Sequence, residues 1–261
     1  MKKLLVISFF GLLSCTKKSE PEIIIVVSAN AEWKVIKSIF QKENYQPTPW
    51  GEFFETKIAT TKNQVSVIFF HEGWGKTSAA GATQFAIDKW NPRYLINLGT
   101  CGGFEGKVER FDILLVNKTI VYDIREAMGD SNQAIDDYST ELDLSWLKIE
   151  ERDSVKQYLL ISADRDIVPQ DMIELEKRYH AIAADWESAS IAYTCKRNNK
   201  KVIILRGVSD IVSQSHGEAY NNEQAFRYGA EVVMKKLINQ LPTWLDKIIS
   251  SDENSSHENH N

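Results

Sequence analysis

Short apolar runs alternate along the chain with longer segments in which apolar residues recur every three or four positions. The run at residues 23–27 is continuous and rich in β-branched side chains, which is typical of a strand buried on both faces of a sheet. The segment at residues 31–40 instead places Val35, Ile36 and Ile39 on one face, which predicts a helix. Because the two patterns recur through most of the sequence, strands and helices are expected to alternate.

The same patterns predict the remaining elements. Further strands are predicted at residues 53–60, 65–70, 94–98, 113–121, 157–162 and 202–205. Further helices are predicted at residues 75–90, 170–179, 188–197 and 224–241. Residues 122–153 are polar and weakly patterned, and they are predicted to form a long loop. The alternation predicts an α/β fold, with a single domain at residues 22–246, a central mixed, mostly parallel sheet and helices on both faces.

The N-terminal residues follow a different pattern. Lys2 and Lys3 precede an apolar run at residues 4–13, and Ser14 and Cys15 follow it. A basic start, a short apolar run and a small residue at the cleavage point are typical of a secretory signal. The run is too short to span a membrane as a helix. The pattern resembles a bacterial lipoprotein signal.

This resemblance implies that residues 1–14 are a signal peptide, that Cys15 is lipidated and that residues 15–21 are a linker. The protein is then expected in the bacterial cell envelope, with the lipid anchor as its only contact with the membrane. The alternative is a cytoplasmic protein in which Cys15 is an ordinary residue of a buried first strand. At the other end, residues 247–261 finish in a polar, low-complexity stretch, and they are predicted to be a disordered tail.

Composition narrows the range of functions. With 261 residues, 43% of them hydrophobic, the chain is long enough for one ordinary globular core. The net charge is −5, and no block of Lys and Arg is long enough to grip a phosphate backbone, so no nucleic-acid partner is expected. If Cys15 carries a lipid, only Cys101 and Cys195 remain, which does not suggest a disulfide framework.

Three places qualify as a ligand site, because ligands in α/β sheets bind beyond the carboxyl ends of the strands. They are residues 28–32, the Gly-rich turn at residues 99–103 and the Ser209-Asp210 pair. Glu187 opens a predicted helix, and one geometry puts it at the same sheet edge as Asp210. Taken singly, Glu187 is equally explained as an acid favoured by the helix dipole, and Asp210 as a cap or turn former. The two acids together are more specific.

Five segments, in order, resemble those of the nucleoside phosphorylase/nucleosidase superfamily. They are a first strand with an acidic loop, a Gly-x-Gly-Lys helix start, a Gly-Thr-x-Gly-Gly turn, an acidic helix start and a strand ending in Arg-x-Val-Ser-Asp. In this chain they lie at residues 26–32, 73–80, 97–103, 185–192 and 203–210. The resemblance covers nearly the whole chain after residue 22 and is closest to the methylthioadenosine/S-adenosylhomocysteine nucleosidases. It implies a nucleoside phosphorylase-like fold.

The resemblance also implies a reaction, which is cleavage of the N-glycosidic bond of a purine nucleoside. As that bond breaks, negative charge collects on the purine, and a carboxylic acid can neutralise it by giving the base a proton. By resemblance Asp210 is that acid, with Ser209 orienting its carboxyl group. Glu187 accepts hydrogen bonds from the ribose hydroxyls, as a carboxylate does well. Trp186 stands where the family usually has Met, and it is either a sugar contact or a core aromatic residue.

The nucleophile is decided by the presence or absence of a phosphate site, which needs Arg or clustered backbone N–H groups. The family's purine phosphorylases carry one Arg in the first loop and another two residues before the Gly-Ser/Thr turn. Here residues 28–33 contain no Arg and the second position is Asn97. This favours water, with Glu32 as the candidate base. In the nucleosidases the catalytic Glu falls one position later, where this chain has Trp33, so Glu32 is either brought in by a small loop shift or is a solvated first-turn acid.

Weaker candidates for substrate contact lie in neighbouring segments. His71 is at a strand end that borders the expected site, and Gly99 and Thr100 lie in the Gly-rich turn. Thr100 either contacts the attacking water or an anion, or it simply fits the turn. Ile167 and Val168 follow a strand where the family builds its platform for the base, although the family's usual Phe is absent. No metal ligands and no cofactor are predicted.

Three functions therefore compete. The first is a nucleosidase that hydrolyses a purine nucleoside, with methylthioadenosine and S-adenosylhomocysteine as candidate substrates, acting as a homodimer or a higher homo-oligomer. The second is a phosphorylase with an unusual phosphate site. The third is a nucleoside-binding lipoprotein without catalysis. Retention of both Asp210 and Glu187 argues against the third, because a binding protein does not need a proton donor.

Overall fold

The computed structural model describes residues 22–147, 149 and 156–258. The predicted signal peptide, the linker and Cys15 lie outside the described residues. The strands are β1 (Ile23–Val27), β2 (Gln46–Pro47), β3 (Glu52–Ala59), β4 (Gln64–His71), β5 (Tyr94–Phe104), β6 (Ile113–Val121), β7 (Thr140–Glu141), β8 (Gln157–Ser162), β9 (Ala183–Asp185) and β10 (Lys201–Val212). The helices are α1 (Asn30–Ile39), α2 (Lys76–Trp90), α3 (Ser131–Tyr138), α4 (Met172–Tyr179), which follows a 3₁₀ turn at Pro169–Asp171, α5 (Ser188–Arg197) and α6 (Glu223–Glu258).

Parallel pairing builds the centre of the sheet. β1 pairs with β4 and β5, and β5 pairs with β10, all in parallel. Antiparallel pairs join β3 to β4 and β6 to β10. The strand order is β10-β6-β8-β9-β5-β1-β4-β3-β2, and β10 also pairs with β5, which closes the first five strands of this order into a ring. The predicted α/β fold with one central mixed sheet is confirmed.

Both faces of β1 are buried, which explains its continuous apolar run. Ile23, Ile25 and Val27 join a core cluster with side chains of α1 and α6. Ile24 and Val26 join a second cluster with side chains of α2 and α5. Successive residues of a strand point to opposite faces, so a strand with helices on both sides must be apolar at every position.

The region predicted as a long loop, residues 122–153, differs from the prediction because it contains α3 and β7. The side chain of Asp130 caps α3 by accepting a hydrogen bond from the N–H of Asn132. Ile135 is the buried residue of this helix. One buried position in eight residues is too weak a pattern to indicate a helix from the sequence.

The predicted disordered tail, residues 247–261, also differs, because α6 continues as a helix to Glu258 and passes through Pro242. Trp244, Leu245 and Ile248 are buried in the core beyond that proline. Burial of these apolar side chains compensates for the backbone hydrogen bond that a proline removes.

The register between β5 and β10 brings the candidate site residues together. Gly99 lies opposite Arg206, and Gly102 lies opposite Asp210. The register shifts between Val208 and Asp210, which is the signature of a bulge that redirects side chains at the end of a strand.

Candidate active site

A cavity of about 1130 Å³ opens where β1 and β10 end and the loops after them begin. Most residues predicted to contact substrate line it: Glu32, Thr100, Ile167, Trp186, Glu187, Ser209 and Asp210. His71, Gly99 and Val168 were predicted to contact substrate as well, but they lie outside its lining. In the part of the chain that the structure describes, no group of three or more His, Cys, Asp or Glu side chains is arranged to hold a metal ion.

Glu32 is 1% exposed, so it is not a solvated acid. Its Oε1 accepts hydrogen bonds from the backbone N–H of Thr100 at 2.6 Å and from the Thr100 hydroxyl at 2.8 Å. Its Oε2 accepts one from the N–H of Ala29 at 3.0 Å. Trp33 packs in the core, where its ring stacks on His71 with centroids 5.2 Å apart. Residue 32 rather than residue 33 therefore supplies the carboxylate, and His71 supports Trp33 instead of lining the cavity.

Arg206 lies under the cavity with a side chain that is fully buried. Its Nε is 3.0 Å from Asp185 Oδ2, and its Nη1 is 3.6 Å from Glu187 Oε2. Its Nη2 donates to the side-chain oxygen of Asn97 at 2.8 Å. A Cβ at Gly99 would collide with the guanidinium of Arg206. Gly99 therefore makes room for Arg206 rather than for a ligand.

Arg206 and Asp185 belong to the site but were not among the predicted site residues. Arg206 directly follows the apolar run at residues 203–205 of β10, and a buried arginine requires charged partners. An arginine that directly follows a buried apolar run could therefore have identified Arg206 as a site residue. Asp185 ends β9, whose three residues are too short to show a periodic pattern.

Glu187 stands at the start of α5 with a side chain that is 7% exposed. Its Oε1 accepts a hydrogen bond from the N–H of Gly75 at 3.0 Å. Burial raises the pKa of Glu187, and the charge of Arg206 opposes that rise. The rings of Trp186 and Trp74 meet beside this carboxyl group with centroids 5.2 Å apart, so two aromatic walls flank it.

Asp210 is 6% exposed, and its Oδ1 accepts a hydrogen bond from the Ser209 hydroxyl at 2.6 Å. Burial raises the pKa of Asp210. The nearby charges of Glu218 and Asp166 act in the same direction, whereas the Ser209 hydrogen bond and Arg110 act against it. The environment therefore favours a carboxyl group that holds its proton longer than an exposed aspartic acid does.

Apolar groups lie close to Asp210. A Cβ at Gly102 would lie 3.1 Å from Ile167 Cδ1, 3.6 Å from Val212 and 3.9 Å from Asp210 Oδ2. The Tyr220 hydroxyl donates to the backbone carbonyl of Ile167 at 2.5 Å and so fixes the segment that carries it. These groups form a flat apolar space next to one acid.

Glu72 lies behind the site and is fully buried. Its carboxyl oxygens accept hydrogen bonds from the hydroxyls of Ser28 at 2.9 Å and Thr83 at 3.1 Å. Burial raises the pKa of Glu72 to about 8, and the charge of Glu187 adds to that effect. Glu72 was not predicted as a site residue, because no local pattern indicates that this acid is buried.

Fold and cavity together define an α/β protein with buried acids at the strand ends, of the kind that takes a small ligand. A model of the phosphorylase superfamily matches residues 22–241, and the chain belongs to this family. The family resemblance predicted from the sequence is thereby confirmed.

Two relatives of this chain are nucleosidases by name. The 5'-methylthioadenosine/S-adenosylhomocysteine nucleosidase of Maridesulfovibrio salexigens is 30% identical over 192 residues, which is 69% of this chain and 82% of that protein. The Thermotoga maritima enzyme of the same name is 30% identical over 156 residues, which is 59% of this chain and 70% of that protein.

Solved structures support the fold. The Neisseria meningitidis nucleosidase in complex with methylthio-immucillin-A has a TM-score of 0.66 and 18% identity, covering 85% of this chain and 98% of that one. A Helicobacter pylori nucleosidase complex has a TM-score of 0.67 and 17% identity, covering 86% and 99%. At these identities the likeness concerns the fold alone.

The comparisons correct the predicted location. The lipid-anchored envelope protein expected from the N-terminal pattern is contradicted, because the relatives are named as nucleosidases and not as lipoproteins. Within the described ranges, no helix is both long and apolar enough to cross a membrane. The N-terminal pattern was a weak basis, because a short apolar run after two lysines is compatible with several kinds of N-terminus. The predicted homo-oligomer stays a prediction.

Proposed function

We propose that the chain hydrolyses the N-glycosidic bond of a purine nucleoside, with Asp210 as the general acid, Glu32 as the base that activates water and Glu187 as the acceptor for ribose hydroxyls. The enzyme class predicted from the sequence, an N-glycosidic hydrolase of the purine nucleosidase kind, is confirmed by the relatives. The residue roles and the substrate are the proposal.

One observation carries the proposal: Glu32 and Asp210 line the same cavity, and each of them lies next to a residue of β5. Glu32 is bonded to Thr100, and Asp210 lies opposite Gly102, two residues further along the same strand. Two positions along a strand are roughly 7 Å apart. The two acids therefore approach different points of the cavity wall, which suits one acid at the leaving base and one beside a water on the other side of the sugar carbon.

The reaction then runs as a hydrolysis with one proton given and one taken. As the bond between the sugar C1′ and the purine nitrogen breaks, the bonding electron pair goes to the purine, and Asp210 gives it a proton. Glu32 takes a proton from water, and the water oxygen forms the new bond to C1′. The products are the free base and the free sugar. The raised pKa of Asp210 supports its role, because a general acid must still hold its proton at the working pH.

Glu187 and the two tryptophans are proposed to bind the ribose. A buried carboxyl group at the cavity wall can accept hydrogen bonds from the ribose hydroxyls. Trp186 and Trp74 present apolar faces next to it. The apolar space around Ile167 and Val212, next to Asp210, suits the flat purine ring.

Water is preferred to phosphate as the nucleophile because two anion-binding groups beside Glu32, Thr100 and Arg206, are already engaged. The N–H and hydroxyl of Thr100 bond to Glu32, and a carboxylate in that place repels a phosphate. Arg206 is fully buried and bound to Asp185, Glu187 and Asn97. Neither group is free to receive a phosphate ion.

Product analysis with the purified chain tests this proposal. The panel holds adenosine, inosine, guanosine, 5'-methylthioadenosine and S-adenosylhomocysteine, each with and without phosphate. The last two are included because the relatives carry their names. We expect free base and a free sugar at a rate that phosphate does not change. A sugar 1-phosphate formed in proportion to phosphate establishes a phosphorylase instead.

Asp210→Asn separates catalysis from structure, because Asn caps a helix or turn about as well as Asp but cannot give a proton. We expect kcat to fall by about 10²–10⁴-fold with little change in binding. A folded Asp210→Asn variant with wild-type turnover contradicts the assignment. A wild-type chain that binds nucleosides and cleaves none points to a binding protein.

A further inference from the structure

We propose that Arg110 and Glu218 form a clamp on the two peptide groups that flank Asp210, and that this clamp holds the carboxyl group in place and sets the charges around it. The inference rests on the proposed role of Asp210 as general acid. Both clamp residues lie outside the lining of the cavity, so they act through Asp210 as positioning residues and touch no substrate.

The clamp is visible in three contacts. Arg110 Nε donates a hydrogen bond to the backbone carbonyl of Ser209 at 3.1 Å. Glu218 Oε2 accepts one from the backbone N–H of Ile211 at 3.0 Å. The two side chains meet each other, with Arg110 Nη1 3.8 Å from Glu218 Oε2. The peptide groups immediately before and after Asp210 are thus held by one ion pair.

The position of this ion pair explains why it is needed. The pairing of β10 with β5 shifts register between Val208 and Asp210, and a bulge leaves part of the regular ladder without its normal partners. Arg110 comes from the segment that precedes β6, and Glu218 from the segment between β10 and α6. Side chains from two other segments therefore secure the backbone at the point where the strand is irregular.

Aromatic rings fix the arginine in this place. The guanidinium carbon of Arg110 lies 5.0 Å from the centre of the Phe111 ring and 5.8 Å from that of Tyr228. Tyr228 belongs to α6, and a cation over an aromatic face is attracted by the ring. A guanidinium held by two rings loses less freedom when it binds a carbonyl than an unrestrained one.

The two charges act on Asp210 in opposite directions. Glu218 raises the pKa of Asp210 and Arg110 lowers it, in addition to the dominant effect of burial. Asp166 also raises it, and the Ser209 hydroxyl lowers it. Two further titratable groups interact with Asp210, the Cys101 thiol on β5 and the Tyr220 hydroxyl. Both are neutral at neutral pH, because burial raises the pKa of each.

Charge-neutralising variants test the clamp, because the two variants should shift the pH profile in opposite directions. A loss of structure would not produce opposite shifts. Glu218→Gln should move the alkaline limb of kcat/KM to lower pH, and Arg110→Gln should move it to higher pH. Each shift should be a few tenths of a pH unit, because the pair is partly exposed to solvent. Both variants should also lower kcat by about tenfold, since a carboxyl group displaced by a fraction of an ångström transfers its proton less well.

Two further measurements separate charge from position. Arg110→Lys keeps the positive charge and loses the planar fork, so kcat should fall while the alkaline limb stays. A ¹³C NMR titration of the aspartate carboxyl groups, with the Asp210 signal assigned by Asp210→Asn, should give the same opposite shifts without any substrate. Lys107→Gln and Glu176→Gln are matched controls, because these residues form an exposed ion pair elsewhere. They should leave the limb and kcat unchanged.

The outcomes are distinguishable from failure of the proposed function. If the wild-type chain cleaves nucleosides and Asp210→Asn does not, the assignment of Asp210 as general acid stands. If Arg110→Gln and Glu218→Gln then shift the Asp210 titration in the same direction, or do not shift it, the clamp proposal is wrong. If Asp210→Asn retains full turnover, the proposed function fails. The NMR titration then still decides whether the ion pair controls the protonation of Asp210.

Discussion

Glu32 and Thr100 are joined by two hydrogen bonds to one carboxylate oxygen, from the Thr100 backbone N–H at 2.6 Å and from its hydroxyl at 2.8 Å. The first turn of α1 and the Gly-rich part of β5 are thereby fixed to each other. Because the third hydrogen bond to Glu32 comes from Ala29 in its own loop, the carboxylate is held before any substrate arrives.

Glu32→Gln should keep the two hydrogen bonds to Thr100 and remove the base, although the side-chain NH₂ group then faces the N–H of Ala29. The amide oxygen of Gln can still accept from Thr100, but the side chain cannot take a proton from water. We expect kcat to fall by at least about 10²-fold with KM little changed. Steady-state kinetics on the best substrate of the panel measures this. Lys37→Gln on the same helix is the control, since its side chain is exposed. Undiminished turnover by a folded Glu32→Gln protein excludes Glu32 as the base.

Glu187→Gln should affect binding and rate together, because the ribose contacts exist before and during bond cleavage. We expect KM to rise and kcat to fall, each by about tenfold. The matching 2′-deoxynucleoside separates the two roles of this residue, because it lacks one hydroxyl that Glu187 is proposed to bind. The variant should lose less activity on the deoxy substrate than on the ribose substrate. An equal loss on both substrates is the result that assigns Glu187 a structural role only.

Glu72→Gln should stabilise the protein, and increasingly so as the pH rises. Burial raises the pKa of Glu72 from 4.5 to about 8, so the unfolded chain releases this proton at lower pH than the folded one. The stability that the protonated carboxyl group contributes is therefore present below pH 4.5 and is lost between there and about pH 8. Gln does not titrate. The difference in free energy of unfolding should grow to roughly 1–4 kcal/mol across that window.

Urea unfolding at pH 5, 6, 7 and 8, chosen to span about that window, checks this prediction. Glu176→Gln is the control, because this acid is exposed and forms a surface pair with Lys107. Its effect should be nearly constant over the series. Parallel stability curves for Glu72→Gln and the wild type would mean that Glu72 is already ionised in the folded protein.

Gly229→Ala should destabilise the protein, although Gly to Ala inside a helix ordinarily stabilises it by about 1 kcal/mol. A Cβ at this position of α6 would collide with the backbone carbonyl of Ser209. The helix or the strand end must therefore move, at a cost of about 1–3 kcal/mol, and Asp210 moves with the strand. Thermal unfolding and kcat should both decline. Asn239→Ala, at an exposed position of α6, should do neither, and a more stable Gly229→Ala protein would contradict the close approach.

The sequence predicted the fold and most of the cavity because both depend on local patterns. Continuous apolar runs identified the buried strands. The Gly-rich segment and the Ser209-Asp210 pair were predicted to follow strands and instead form the last parts of β5 and β10, which is still the end of the sheet where α/β folds place ligands. Glu32 was predicted despite a mismatch of one position. Its placement depends on Trp33 packing into the core, which no local pattern reports.

The misses share a physical cause, which is that their partners are distant in the chain. Arg206 is defined by Asp185, Glu187 and Asn97, and only the folded sheet brings these together. Gly99 was predicted as a ligand contact, but its missing side chain leaves space for Arg206 of the neighbouring strand. The end of α6 was predicted as a disordered tail because residues 247–261 finish in a polar, low-complexity stretch, whereas in the structure the helix continues to Glu258 and Ile248 is buried in the core.

The pairing of β5 with β10 has a consequence for how the protein opens in solution. It runs from Tyr94 to Phe104 inside the closed ring, interrupted by the register shift between Val208 and Asp210, and most residues of both strands are buried. Amides of this kind exchange with deuterium only when the whole domain unfolds. The backbone that carries Thr100 and Asp210 therefore lies in the slowest-exchanging part of the molecule. Partial melting of the outer strands β2 and β3 should leave Glu32 and Asp210 in place.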